Sequence, residues 1–222
     1  MTENNDLLDL LDGESLKTEF YMEEEVELKT KEVKRAMKSF FKHIQVRSSA
    51  ATLLLVKFSL LDAAKLNQDT IDKQLNHYVK DLNQDIIHTQ KILSDAGINT
   101  LAEVSGGLKG TVKITSPTGF QFLNLLKLWD QLNINLVTLY MCQEIGQEEV
   151  IKSTHQWTQR IKKFNNLVES LSITAYKAAD RLKKQAQEKA VERKKTAHKT
   201  NASKPKAEKR VVTEKPVKVA TA

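Results

Sequence analysis

The sequence predicts a mainly α-helical protein with one helical domain, a short β-ribbon and a disordered basic C-terminal tail. Three observations lead there. Glycine and proline, the residues that interrupt regular structure, number only 7 and 3 in 222 residues, and so few breaks imply long helices. Apolar residues recur at helical spacing through most of the chain. Strict apolar–polar alternation, the period of a half-buried strand, is confined to two short stretches, 25–30 and 111–115. The expected organisation is an acidic flexible N-terminus over 1–22, a helical domain over 23–182 and the tail over 183–222.

The elements follow in order. Residues 6–12 interleave leucine pairs with aspartates and stop at Gly13, which is too short for a stable isolated helix. In 25–30, Val26 and Leu28 point one way and Glu25, Glu27 and Lys29 the other. Thr30 offers an N-cap for a helix over 31–43 whose apolar face holds Val33, Ala36, Met37, Phe40, Phe41 and Ile44. A short break is predicted at Gln45-Val46-Arg47, after which Ser48 and Ser49 cap a second helix reaching about Leu66. A third helix is predicted over 69–95, with Asp69 at its positive end. Gly97, Gly106, Gly107 and Gly110 mark the main loop. Ser116-Pro117 is a cap followed by a first-turn proline, opening a helix over about 117–145 that is apolar on most of its circumference and therefore buried. Gly146 separates it from a last helix over about 147–195. Both alternating stretches lead straight into a capped helix. The similarity is too thin for a sequence repeat, but it makes a small ribbon the only expected sheet.

Charge is polarised along the chain. Residues 1–25 hold nine acidic side chains and one lysine, whereas 181–222 hold fourteen Lys/Arg and four Glu. The basic end points to a polyanion such as a phosphate backbone. The acidic start is neither a secretory signal nor a transit peptide, and no run approaches the roughly 18 apolar residues of a membrane span, so a cytoplasmic protein is expected. Cys142 stands alone, which rules out an intramolecular disulfide or a multi-cysteine metal site; it reads as a small buried apolar residue. His43, His77, His88, His155 and His198 form no zinc-binding spacing. Gly106-Gly107 lacks the ending of a phosphate-binding loop, and no nucleophile elbow occurs. No catalytic site, cofactor or metal is expected.

The order strand, helix, turn, helix over 25–65 carries the functional expectation. Two chains pairing this strand antiparallel form a ribbon that fits the major groove of double-stranded DNA. Glu25, Glu27 and Lys29 would face base edges, beside Lys31. Arg47, Ser48 and Ser49, at the start of the second helix, would meet a phosphate. The alternative reading head is the second strand, with Thr111, Lys113 and Thr115 on its polar face. Through VELKTKEVKRAMKSFFKHIQVRSSAATLLLVKF the chain resembles the ribbon-helix-helix repressor family. Glu23 to Glu25 depart from that pattern, since they set acids beside the proposed reading face.

A wider stretch, from about 24 to 182, is similar to the AcaB-type regulators of conjugative plasmids and integrating conjugative elements. The blocks that carry the likeness are ELKTKEVKRAMKSFF, DTIDKQLNHYVKDLNQDI and SPTGFQFLNLLKLWDQLNINLVTLYMCQEIG. The resemblance implies a transcriptional activator of transfer genes with ribbon-helix-helix character. The resulting expectation is a homodimer on double-stranded DNA, built around strand 25–30 with Met37, Phe40 and Leu54 near the axis. Two other readings compete with it: a non-catalytic helical assembly protein of a conjugation or secretion system, and a nonspecific nucleic-acid binder acting through the tail.

Overall fold

The computed structural model describes residues 21–202. Its elements, in order, are β1 (Met22–Leu28), α1 (Lys31–Lys57), α2 (Leu61–Asp95), β2 (Leu108–Ile114), α3 (Pro117–Met141) and α4 (Gln147–Ala202). Most of the expected flexible N-terminus, and residues 203–222 of the expected tail, lie outside the described residues. The chain divides into two compact units between Asp180 and Arg181. The first holds the ribbon, α1 to α3 and α4 as far as Asp180.

The strand's partner corrects the sequence reading. β1 pairs antiparallel with β2 of its own chain, from Met22 opposite Ile114 to Leu28 opposite Leu108. The alternation at 25–30 reports a half-buried strand but not which strand lies beside it, and β2 removes the need for a second copy to complete the ladder. Met37 and Leu54 are buried within the chain and Phe40 packs against the core. A two-stranded ribbon is marginal by itself. This one is held by its inner face, where Val26, Leu28, Val112 and Ile114 join the main core with Val33, Ile44 and Phe122.

The helix boundaries also differ from expectation. α1 runs unbroken through Gln45-Val46-Arg47, since no glycine or proline interrupts it and Ser48 turns its hydroxyl back onto the Gln45 carbonyl at 3.1 Å instead of capping. The break falls at Ser59, which takes a left-handed φ of 59°. Leu60 N–H donates to the Leu55 carbonyl and Ser59 N–H to that of Val56, both at 2.9 Å, closing the helix in a Schellman arrangement. α2 ends the same way around Gly97 and α3 around Gln143, at φ 70° and 64°. Only one of the three ends has glycine, so the other two carried no sequence signal. α2 consequently starts at Leu61 rather than 69, and α3 ends at Met141 rather than near 145.

α3 is the central element. Trp129, Phe122, Leu123, Leu125 and Leu126 are fully enclosed, each worth about 1.5–3 kcal/mol or more of transfer free energy. Phe122 stacks on Phe164 of α4 at 5.8 Å, and Trp157 meets Tyr78 of α2 edge-on at 6.2 Å. Ser116 caps α3 as expected, accepting from Gly119 N–H at 3.0 Å. A second, smaller cluster joins Leu54 and Leu55 of α1, Ala64 of α2, and Ala175 and Ala179 of α4. Cys142 is exposed at the end of α3, not buried. α4, expected to reach about 195, continues through 183–202 to Ala202. The stretch is rich in Lys, Gln, Glu and Ala, all good helix formers, and meets no glycine or proline before Pro205.

Candidate nucleic-acid interface

The outer face of the ribbon is built by alternation in both strands. β1 contributes Glu23, Glu25 and Glu27 and β2 contributes Lys109, Thr111 and Lys113, all exposed. The register sets Glu23 opposite Lys113, Glu25 opposite Thr111 and Glu27 opposite Lys109. Lys109 Nζ lies 3.3 Å from Glu27 and Lys113 Nζ 3.9 Å from Glu23. Lys113 also sits over the Tyr21 ring, 4.4 Å from its centroid. Each lysine thus has a carboxylate across the ladder, and Glu25 is left facing a hydroxyl. Exposed cross-strand pairs of this kind add little stability. Their consequence is electrostatic: three carboxylates against two ammonium groups leave this face slightly negative, so it does not attract phosphates by itself.

The register has an internal two-fold. Each strand leads through a hydroxyl residue, Thr30 or Ser116, into a helix. Aligned on those caps, Met22 corresponds to Leu108, Glu25 to Thr111 and Leu28 to Ile114. Glu25 and Thr111 therefore correspond to each other and also face each other. The pairing is centred where a two-fold relating the halves requires.

Two polar clasps fix the ribbon on the helices. Asp130, buried on α3, accepts from Lys29 N–H and Thr30 N–H, both at 2.8 Å, and from the Thr30 hydroxyl at 2.6 Å. The carboxylate thereby holds the turn between β1 and α1 and sits at the positive end of α1. At the other end of the ribbon, Gln45 Oε1 accepts from Thr115 N–H at 2.8 Å, and its Nε2 donates to the Lys113 carbonyl at 3.3 Å. Gly119 makes room for it, since a Cβ there would meet Gln45 Oε1 at 2.5 Å. Lys127 of α3 pairs with Glu24 on the ribbon's inner side. The sequence reading missed these groups. Asp130 carried a signal nonetheless, being a charge inside an otherwise apolar helix that has to find partners.

The structure places the predicted residues unevenly. Glu25, Glu27, Thr111 and Lys113 come together on the ribbon face. Lys29 and Lys31 are exposed just beyond its end, on either side of buried Thr30, and Thr115 is exposed at the opposite end. Arg47, Ser48 and Ser49 lie inside continuous α1, where no free helix-start N–H groups exist for a phosphate. Ser48 is buried, Ser49 is half-buried, and Arg47 Nε donates to His43 Nε2 at 3.3 Å. His43 Nδ1 in turn donates to Asn165 Oδ1 of α4 at 2.9 Å.

One basic feature escaped the motif-based reading. Lys31, Arg35, Lys38 and Lys42 recur at one-turn spacing along α1, all exposed, which puts them in a single stripe. The stripe spans about 16 Å at the usual helical rise. Among the described residues none of the four has a carboxylate within salt-bridge distance. The signal in the sequence is the K-x3-R-x2-K-x3-K spacing, readable once 31–57 is taken as one helix.

No family's sequence profile matches the chain, and no curated protein matches it. Among solved structures it is similar to AcaB from uropathogenic E. coli, determined in crystals of the selenomethionine-containing protein. The TM-score is 0.71 at 19% sequence identity, over 76% of this chain and 87% of that one. At that identity the likeness establishes a shared fold.

Proposed function

We propose that the chain is a sequence-specific regulator that binds double-stranded DNA in the cytoplasm and has no catalytic step. In this reading the outer face of the ribbon enters the major groove, in the manner of ribbon-helix-helix proteins, while α1 supplies phosphate contacts. The observation that carries it is the stripe Lys31, Arg35, Lys38 and Lys42. Like charges one turn apart cost a helix a few tenths of a kcal/mol per pair, and a polyanion laid along the stripe offsets that cost. The basic run from Arg181 onward adds sequence-independent affinity. The AcaB fold supports the reading, and the regulatory role proposed with it is activation of conjugative transfer genes. Arg47, Ser48 and Ser49 have no place in it; Thr111 and Lys113 stay on the reading face with Glu25 and Glu27, whereas Lys29 and Lys31, just beyond its end, become phosphate contacts, and Thr115 lies at the opposite end. Genome-wide footprinting in the host cell tests it. Discrete protected sites upstream of transfer genes are expected, and a uniform or absent footprint would contradict it.

A second reading has its own observation. The ribbon face is slightly negative, and the first turns of α2 and α4 carry Asp62 and Glu148-Glu149, which repel phosphate at both helix starts. Leu53, Val56, Leu61 and Leu66 are exposed around the α1–α2 junction. A helical assembly protein fits these features. It predicts no DNA binding at moderate salt.

A further inference from the structure

We infer that the ribbon reads a non-palindromic DNA site and does so with one chain per site. The inference deepens the DNA-binding reading and rests on it. A ribbon made by two copies of one strand presents identical side chains to both halves of its site, and the matching operator is an inverted repeat. Here the two strands belong to one chain, and the register keeps the geometry of such a ribbon, with Glu25 and Thr111 both corresponding and opposed. The chemistry is not repeated. The outward positions Glu23, Glu25 and Glu27 of β1 correspond to Lys109, Thr111 and Lys113 of β2.

The difference decides which base edges each strand tolerates. Lysine ammonium groups donate to guanine O6 and N7. Ionised carboxylates only accept, and their major-groove partners are the amino groups of cytosine and adenine. An inverted repeat offers both strands the same edges, so one strand would always set its charges against the wrong groups. The site that fits has acceptor edges under β2 and amino groups under β1. Phosphate neutralisation is split in the complementary sense. The acidic strand β1 is followed by α1 with its exposed cationic stripe, whereas the basic strand β2 is followed by α3, whose single lysine, Lys127, is taken by Glu24.

The test is selection from a random double-stranded DNA library with the full-length protein, followed by sedimentation of the complex on the shortest selected duplex. A motif without inverted repetition, occupied by one chain, is expected. The triple variant Glu23→Lys, Glu25→Thr, Glu27→Lys gives β1 the outward side chains of β2. It should shift the selected motif toward an inverted repeat and lower affinity for the wild-type site at least tenfold. An inverted repeat bound by two wild-type chains would overturn the inference and leave DNA binding standing. No enrichment of any sequence would remove both. If the variant does not fold, as judged by circular dichroism, the wild-type selection and stoichiometry still decide.

Discussion

The two halves of the ribbon share a backbone plan and invert its chemistry. In the first half an acidic strand leads into α1, an amphipathic helix with fewer than half its residues buried and a cationic outer stripe. In the second half a basic strand leads into α3, most of whose residues are buried. Equivalent caps also do different work. Ser116 caps its own helix, whereas Thr30 gives its hydroxyl to Asp130 of the other half. The comparison separates two roles that a symmetric ribbon would merge. The second half supplies the most enclosed helix and the Asp130 clasp; the first returns one clasp through Gln45 and supplies the surface that can meet a polyanion.

Substitutions can break that division or sharpen it. The largest effect is expected at Asp130, where the second half holds the start of the first. Asp130→Ala strands two backbone N–H groups and a hydroxyl, and should cost about 3–5 kcal/mol in urea unfolding. Gly119→Ala pushes a methyl into Gln45 and should cost about 1–3 kcal/mol. The double change with Gln45→Ala should cost less than the sum of the two singles, because the clash disappears. On DNA, Lys113→Ala should lose about 1–3 kcal/mol on the cognate site and blur base preference there. Lys29→Ala, beyond the last paired residue of β1, should weaken cognate and scrambled duplexes alike and by less. Equal loss of discrimination in both variants would show that the strands read DNA equivalently. The smallest effect belongs to the exposed pair: Glu27→Gln should change unfolding free energy by no more than about 0.5 kcal/mol.

The sequence made some of this legible for physical reasons. Alternation at 25–30 and 111–115 located both strands, and Ser116-Pro117 located the start of α3, because those patterns act over a few residues. The partner of β1 was hidden, since a half-buried strand looks the same beside a copy of itself or beside a distant segment. The ends at Ser59 and Gln143 were hidden because each adopts a left-handed conformation without glycine, held by the surrounding backbone hydrogen bonds. The expected turn at 45–47 rested on serines that were free to cap, yet Ser48 bonds back into its own helix. Losing that turn removed Arg47, Ser48 and Ser49 from the candidate site and exposed the α1 stripe in their place.

The phosphate-contact role proposed for α1 is the point on which DNA binding turns. Its most direct test is the dependence of log affinity on log salt for a random-sequence duplex, comparing the full-length protein with the quadruple variant Lys31→Gln, Arg35→Gln, Lys38→Gln, Lys42→Gln. Each phosphate contact contributes about 0.9 to the slope. A folded variant with a slope shallower by roughly 2 or more, for two or more lost contacts, is expected. A variant with the wild-type slope and affinity would contradict it and move the phosphate contacts off α1.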